Sequence, residues 1–447
     1  MFFSEYKSHF KANLSLAYPV VLSQLGHILV SLADNIMVAQ LGTIELDAAA
    51  LANSVFVVIM VCGLGLSFSI TPLVAASVEK KNHSRISLLL VNGTVLCTWF
   101  GVLLAVVGLN SSSFLHYLNQ PAEVVNKAIP FFNILLVSLI PLMIFQGVKQ
   151  FAEGLSITKL PMLITIGANI LNVILNYLLI YGKLGLPELG INGAAYATLV
   201  SRCLMATAIW ILIFRLPELK KYSIHFRKKY LKIGHLQRLT KIGFPISVQM
   251  IFESGAFSFS TIMAGWISIQ AQAAHQIALS IASVTYMMAS GLAAAGTIRV
   301  GMQAGKGDFK ELRKAGYSNL ILGGAFMTFC GLLFILLHKE IPYWYAAENP
   351  DMEVMQLAAG LLIIAAFFQI SDGVQVVGLG VLRGLQDVRI PSAISLVAYW
   401  VVALPLGYLL GFTFELGIYG VWTGLLVGLT IAALLLFLRF RKLTGAH

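Results

Sequence analysis

Apolar runs long enough to cross a bilayer follow one another along the whole chain, separated by short polar gaps, and such a chain can fold only as membrane-spanning helices. Inside hydrocarbon every backbone N–H and C=O must be satisfied by a helix or a closed barrel, and these runs exceed the roughly 9–11 residues of a barrel strand. The expected spans are 13–40, 48–78, 86–108, 128–150, 160–182, 192–215, 240–267, 272–304, 314–337, 355–380, 391–412 and 416–438. A composition that is 58% hydrophobic and 11% charged, with mean hydropathy +0.85, excludes a set of soluble domains. The fold class is therefore an all-α polytopic membrane protein of twelve transmembrane helices.

An even number of spans puts both termini on one side. Of the 30 Lys and Arg, Lys127, Lys183 and Lys339 fall in loops on the opposite side and Arg202 falls inside a span, while the remainder lie on the side of the termini. The positive-inside rule makes that side cytoplasmic and the location a cell inner membrane. The net charge of +11 is dispersed over short loops without a recognition motif, so a nucleic-acid partner is not expected. The apolar stretch after the first dozen residues is too long for a signal h-region and contains Asp34, so the first helix is expected to stay in the mature protein. Cys62, Cys97, Cys203 and Cys330 stand alone in apolar spans, without redox or metal-ligand spacing, and read as packing residues.

The chain repeats itself. A shift of 226 residues lays Pro19 on Pro245, Gly65-Leu66 on Gly291-Leu292, Thr71 on Thr297, Lys80 on Lys306 and Gly147-Val148 on Gly373-Val374. Farther on, Glu188-Leu189-Gly190-Ile191 matches Glu415-Leu416-Gly417-Ile418 at 227. The organisation that follows is an amino-terminal six-helix lobe (1–215), a basic cytoplasmic linker (216–238) and a carboxyl-terminal six-helix lobe (239–447). Equivalent helices share one orientation, so the lobes are expected to be related by a pseudo-twofold axis along the membrane normal, with substrate between them. The linker reads either as a connector obeying the positive-inside rule or as a segment attracted to anionic lipid headgroups.

Three acids interrupt these apolar runs: Asp34, Glu253 and Asp372. A charge at mid-bilayer costs roughly 2.5–3.5 kcal/mol on insertion scales, which marks such residues as parts of an ion or substrate pathway. The repeat places His27 opposite Glu253, Ser260 opposite Asp34 and Gln146 opposite Asp372, so the halves share a scaffold and differ in chemistry. Gln249, Glu253, Ala256 and Ser260 fall on one face of the seventh span, and Gln369, Asp372 and Gln375 on one face of the tenth. Both acids lie ~15–20 Å deep and can face one cavity. Asp34 lies about 30 Å along its helix, with His27 and Ser31 on the same face. Asn169, Asn172 and Asn176 form a polar strip on the fifth span, which can join helices or line a cavity. Arg202 can pair with Asp34 or Glu153, or act as a structural or snorkelling cation.

The segments LADNIMVAQLG (32–42), NVILNYLLIYG (172–182), LGINGAAYAT (189–198), FESGAF (252–257), HQIALSIASV (275–284) and QVVGLGVLRGLQD (375–387) resemble the multidrug and toxic compound extrusion (MATE) family, most of all its NorM branch, over essentially the whole chain. The resemblance implies two six-helix bundles in a V and secondary active efflux of cationic or amphipathic drugs in exchange for Na+ or H+, with no cofactor. It implies an amino-terminal cation site at Asp34, Asn172, Asn176 and Thr198, and carboxyl-terminal coupling acids at Glu253 and Asp372, which are also the possible Na+ ligands. Gln249, Gln369, Gln375, Phe368 and Asn169 are candidates for the substrate cavity. Phe368 departs from the Tyr expected four residues before the tenth-span acid, which removes one possible ion ligand. Small drugs and membrane lipids are the expected partners, and a monomer suffices.

Away from water, Glu253 and Asp372 must be protonated, hold a metal ion or pair with an organic cation, and exchange among these states is the physical basis of antiport. Competing readings lack residues. In GMQAGKGD (301–308) three residues separate Gly301 from Gly305 where a phosphate loop has four, and Gly307 replaces the needed Ser or Thr. No HExxH or GxSxG motif supports an enzyme, and a membrane-embedded transferase lacks a large extramembrane loop for an activated donor. A lipid-linked oligosaccharide flippase would be expected to line its cleft with Arg and Lys, whereas this chain offers acids and Arg202.

Overall fold

The computed structural model describes residues 2–118, 120–216, 219, 230–345 and 351–445, with side chains from residue 6 onward. Most of the 216–238 linker, namely 217, 218 and 220–229, lies outside the described residues. Helices account for nearly all of the rest. They are α1 (Phe2–Ala39), α2 (Thr43–Ser67), α3 (Ile70–Glu79), α4 (His83–Asn110), α5 (Ala122–Gly154), α6 (Lys159–Ile180) and α7 (Ile191–Arg215). The second half supplies α8 (Ile233–Ile267), α9 (Ile269–Lys306), α10 (Phe309–Leu337), α11 (Met352–Gly384), α12 (Arg389–Thr413) and α13 (Gly417–Gly445). No strand occurs among the described residues.

Among the described residues, eleven helical segments are long and apolar enough to cross a membrane, with α2 and α3 forming one of them. The twelfth expected span, α8, has ample length at 35 residues but carries Gln249, Glu253, Ser254, Ser258, Ser260 and Thr261, which lower its hydropathy. The span expected at 48–78 is interrupted after Ser67, and α12 contains two π-helical stretches, Val397–Ala403 and Leu409–Thr413.

The repeat extends to backbone conformation. Asn82 caps α4 by accepting from the Arg85 N–H, and Asp308, 226 residues on, caps α10 by accepting from the Glu311 N–H. The residues just before them, Lys81 and Gly307, both take positive φ, at 51° and 77°. Gly190 and Gly417, which precede and open the last helices of the two halves, have φ of 54° and 56°. Left-handed backbone suits glycine there, and Lys81 adopts it in a turn whose next residue is the cap.

Two compact units emerge, and their boundaries fall inside helices: Met1–Val21 groups with Val248–His447, and Leu22–Ser247 forms the other. Each boundary lies just after a helix-internal proline, Pro19 in α1 and Pro245 in α8, where a backbone hydrogen bond is missing. The grouping has a direct cause. A 38-residue helix is ~57 Å long, far more than one bilayer core, so part of α1 is free to pack elsewhere. Asn13 donates to Ser318 Oγ (2.9 Å), and Val21 lies against Gly291. In the other unit Ser247 donates to the Cys62 carbonyl (2.7 Å) and lies against Gly65. These glycine contacts are equivalent under the 226-residue shift.

A Cβ on Gly65 would stand 2.4 Å from Ser247 Cα, whereas one on Gly291 would first meet the Val21 side chain. Backbone cannot yield as a side chain can. Gly65→Ala is therefore expected to destabilise the protein by ~1–3 kcal/mol and Gly291→Ala by less, read as the order of their melting midpoints in detergent. Equal midpoints would contradict this packing account.

Each unit has a hub. In the amino-terminal unit α5 packs along α2, α4 and α7, while in the carboxyl-terminal unit α11 packs along α9, α10 and α13. Asp372 is therefore carried by the most enclosed helix of its unit, and its repeat-equivalent Gln146 lies on the other hub.

Candidate functional site

The carboxyl-terminal unit joins the two acids that sequence spacing assigns to one cavity. Glu253 on α8 and Asp372 on α11 are both buried and within electrostatic reach of each other. Gln249, one turn before Glu253, donates to its Oε2 at 3.4 Å. Gln369 and Gln375 flank Asp372 at i−3 and i+3 and are fully buried, yet neither amide has a hydrogen-bond partner on its nitrogen or oxygen. Tyr399 on α12 is also fully buried with its hydroxyl unpartnered. Gln375 and Tyr399 lie near enough to act on the Glu253 carboxyl without reaching good hydrogen-bond geometry. Buried polar atoms without protein partners are rare, because each forfeits its hydration. Here two amides and a phenol with unused capacity surround two carboxyls.

An aromatic wall encloses this group. Phe368 is buried and packs edge-on against Phe257 (6.2 Å between centroids) and Trp422 (5.8 Å), and Phe257 packs against Tyr399 (5.8 Å). Behind it the Trp422 indole N–H donates to His275 Nδ1 (3.0 Å). With Nδ1 accepting, Nε2 carries the ring proton and donates to Thr261 Oγ1 (3.0 Å), whose hydroxyl donates to the Phe257 carbonyl (3.1 Å). Phe368 offers no oxygen, and Tyr399 brings a hydroxyl to the same cluster from another helix. Tyr286 on α9 and Arg383 on α11 also act on Glu253.

Asp34 belongs to the other unit. Its carboxylate accepts from Asn176 Nδ2, and Asn172 stands beside them. Two orientations of the Asn172 amide fit its surroundings. In one it accepts from Asn176 (3.3 Å) and donates to Thr198 Oγ1 (3.5 Å). In the other it donates to Asp34 (3.3 Å) and accepts from the Thr198 N–H (3.3 Å). Asp34, Asn172, Asn176 and Thr198 thus meet across α1, α6 and α7. Asn169, two turns before Asn176, lies against Gly26 of α1, and its Nδ2 is unpartnered.

Arg202, one turn after Thr198, donates from Nη1 to Ser138 Oγ (2.7 Å) and lies 5.2 Å over the Phe56 ring. It is within electrostatic reach of Asp34. Glu153, the other carboxylate considered for it, pairs instead with Lys149 at 3.9 Å. Lys149, counted by sequence with the cytoplasmic positive charges, is buried in α5. Among the described residues no group of three or more His, Cys, Asp or Glu is arranged to hold a metal ion.

The MatE family profile matches residues 19–178 and again 245–409, two blocks whose starts are one repeat apart. The chain belongs to the MatE family. It is 34% identical to the "Probable multidrug resistance protein NorM" of Rhizobium meliloti, over 98% of this chain and 95% of that one. It is 32% identical to the multidrug resistance protein MdtK of Yersinia pseudotuberculosis, over 97% and 95%. The crystal structure of the eukaryotic MATE transporter AtDTX14 superposes with a TM-score of 0.88 at 22% identity, covering 98% of each chain. The MATE fold thus accounts for the whole chain, and membership makes it a transporter rather than an enzyme.

Proposed function

We propose that this MATE-family protein is a secondary antiporter of the inner membrane, its termini cytoplasmic, that exports cationic or amphipathic organic compounds in exchange for Na+ or H+. The observation that carries the reading is the buried pair Glu253 and Asp372, surrounded by the unpartnered amides of Gln369 and Gln375 and the Tyr399 hydroxyl. Two carboxyls enclosed together need a positive charge between them or a proton on one. A coupling ion and an organic cation answer the same need, so each lowers the affinity for the other by the same factor. The Phe257, Phe368 and Trp422 rings suit the apolar body of such a compound and the face of its charge. The relatives named for multidrug resistance support this substrate class.

The test is efflux of ethidium and tetraphenylphosphonium from proteoliposomes under a sodium gradient, a proton gradient, or neither. Efflux that accelerates at least about tenfold under one gradient is expected of a coupled exchanger, in which the ion sets the direction. Equal rates under all three conditions would overturn antiport. A lipid-linked anionic glycan moved in place of both dyes would favour a flippase.

A further inference from the structure

His275 on α9 is a fully buried polar side chain in an apolar part of the carboxyl-terminal unit, and Ala271 and Ala278, one turn before and after it, are enclosed with it. An imidazole there forfeits its hydration, so both ring nitrogens need partners. The indole N–H of Trp422 can only donate, so Nδ1 accepts it (3.0 Å) and the ring proton sits on Nε2. Thr261 commits its single hydroxyl hydrogen to the Phe257 carbonyl (3.1 Å), and its oxygen therefore accepts from Nε2 (3.0 Å). One tautomer satisfies every group.

These bonds close a loop with the aromatic contacts. Phe257 stands one turn after Glu253 on α8 and Phe368 one turn before Asp372 on α11, and their rings meet edge-on at 6.2 Å. Trp422 of α13 packs on Phe368 at 5.8 Å, and His275 and Thr261 lead back from Trp422 to Phe257. Four helices, α8, α9, α11 and α13, are thereby held around the contact between the two that carry the acids. A fully satisfied polar network fixes one arrangement of a core where apolar packing alone permits several. The positions 226 residues earlier are Ser31, Asn35, Ala49 and Leu142, and Ala195 corresponds to Trp422 at 227. They supply neither the rings nor the imidazole, so the loop accompanies the acid pair and is not part of the shared scaffold.

We propose that His275 is a positioning residue for ion coupling: through Trp422 and Phe257 it sets the separation of Glu253 and Asp372, and with it the affinity for the coupling ion. The inference deepens the antiport reading and rests on it. A small ion held between two carboxyls depends steeply on their separation, whereas a bulky organic cation with diffuse charge depends on it less.

The test is tetraphenylphosphonium binding to the purified protein, titrated with whichever of sodium or protons displaces it from the wild type. His275→Phe keeps a ring and loses both nitrogens, and it is expected to raise the ion concentration for half displacement at least about tenfold, as removal of a group that orients ion ligands does. Tetraphenylphosphonium affinity at the lowest ion concentration should stay within about threefold of wild type. Trp422→Phe breaks the same loop, so H275F/W422F should lie within about threefold of H275F and well short of the product of the two effects. A residue that only stabilises the core would lower the melting midpoint and leave the ion titration where it is. That result, or a double variant showing the full product, would overturn the proposal. Thr261→Val removes one hydroxyl at nearly constant volume and should shift the titration in the same direction; where H275F does not fold, an unshifted T261V overturns the proposal in its place. Wild-type binding that responds to neither ion overturns the antiport reading, and this inference with it.

Discussion

Glu253→Gln and Asp372→Asn are each expected to cut gradient-driven efflux at least about thirtyfold, while the protein remains in the membrane. The amide keeps the volume of the carboxyl and loses the charge that both cations need. Removing the carboxylate from an enclosed carboxylate–cation pair costs roughly 2–5 kcal/mol, about 30-fold to several thousand-fold in affinity or rate. Glu253 is buried and accepts from Gln249 at 3.4 Å, so the Gln replacement keeps an amide–amide contact there and gives up the ionic one. Asp372 lies on the hub helix between two unpartnered amides, and Asn there adds a third amide without restoring a site for a cation. The measurement is ethidium efflux in proteoliposomes, with circular dichroism and monodispersity confirming the fold. Efflux at wild-type rates in both variants would remove the acids from the transport cycle.

Why these acids were legible from sequence, and much of their surroundings was not, follows from how each residue type is distributed in membrane helices. A lone carboxyl in an apolar run has no cheap explanation, so Asp34, Glu253 and Asp372 stand out in the sequence itself. The Gln369–Asp372–Gln375 strip was legible because helical periodicity puts residues three apart on one face. Tyr286 and Tyr399 carried no such signal. Tyrosine is common in membrane helices, and only tertiary packing brings these two to Glu253. Lys149 misled for a related reason: it stands near a span end, where snorkelling is the default, yet it is buried beside Glu153. The repeat was readable because glycine and proline hold fixed backbone roles, as Gly65 with Gly291 and Pro19 with Pro245 do. The compact-unit boundaries inside α1 and α8 were not, because the contacts that set them, Val21 on Gly291 and Ser247 on Gly65, are far apart in sequence.

Under the proposed antiport, the choice of coupling ion turns on the ligands around Asp372. A sodium ion prefers several oxygen ligands, and Phe368 provides none. The oxygens nearby are the two carboxyls, the Gln369 and Gln375 amide carbonyls and the Tyr399 hydroxyl, the last three unpartnered by protein. That donor set is all oxygen, as a hard cation requires, and it sits on α8, α11 and α12. A proton needs only one carboxyl, so coordination alone favours sodium while proton coupling uses the same residues. Mutual exclusion makes the alternatives measurable. If one ion competes with one drug cation, the apparent Kd for tetraphenylphosphonium rises about tenfold for each tenfold increase in that ion above its own Kd. Titrations with and without sodium at fixed pH, run beside proton-release measurements, are expected to show this dependence for sodium. Replacing Gln369 by Leu should weaken the sodium effect about tenfold while leaving the pH effect in place, because the amide can bind a metal ion but is not needed to protonate a carboxyl. A drug affinity that responds to neither sodium nor pH would make the carboxyls structural and end the antiport reading.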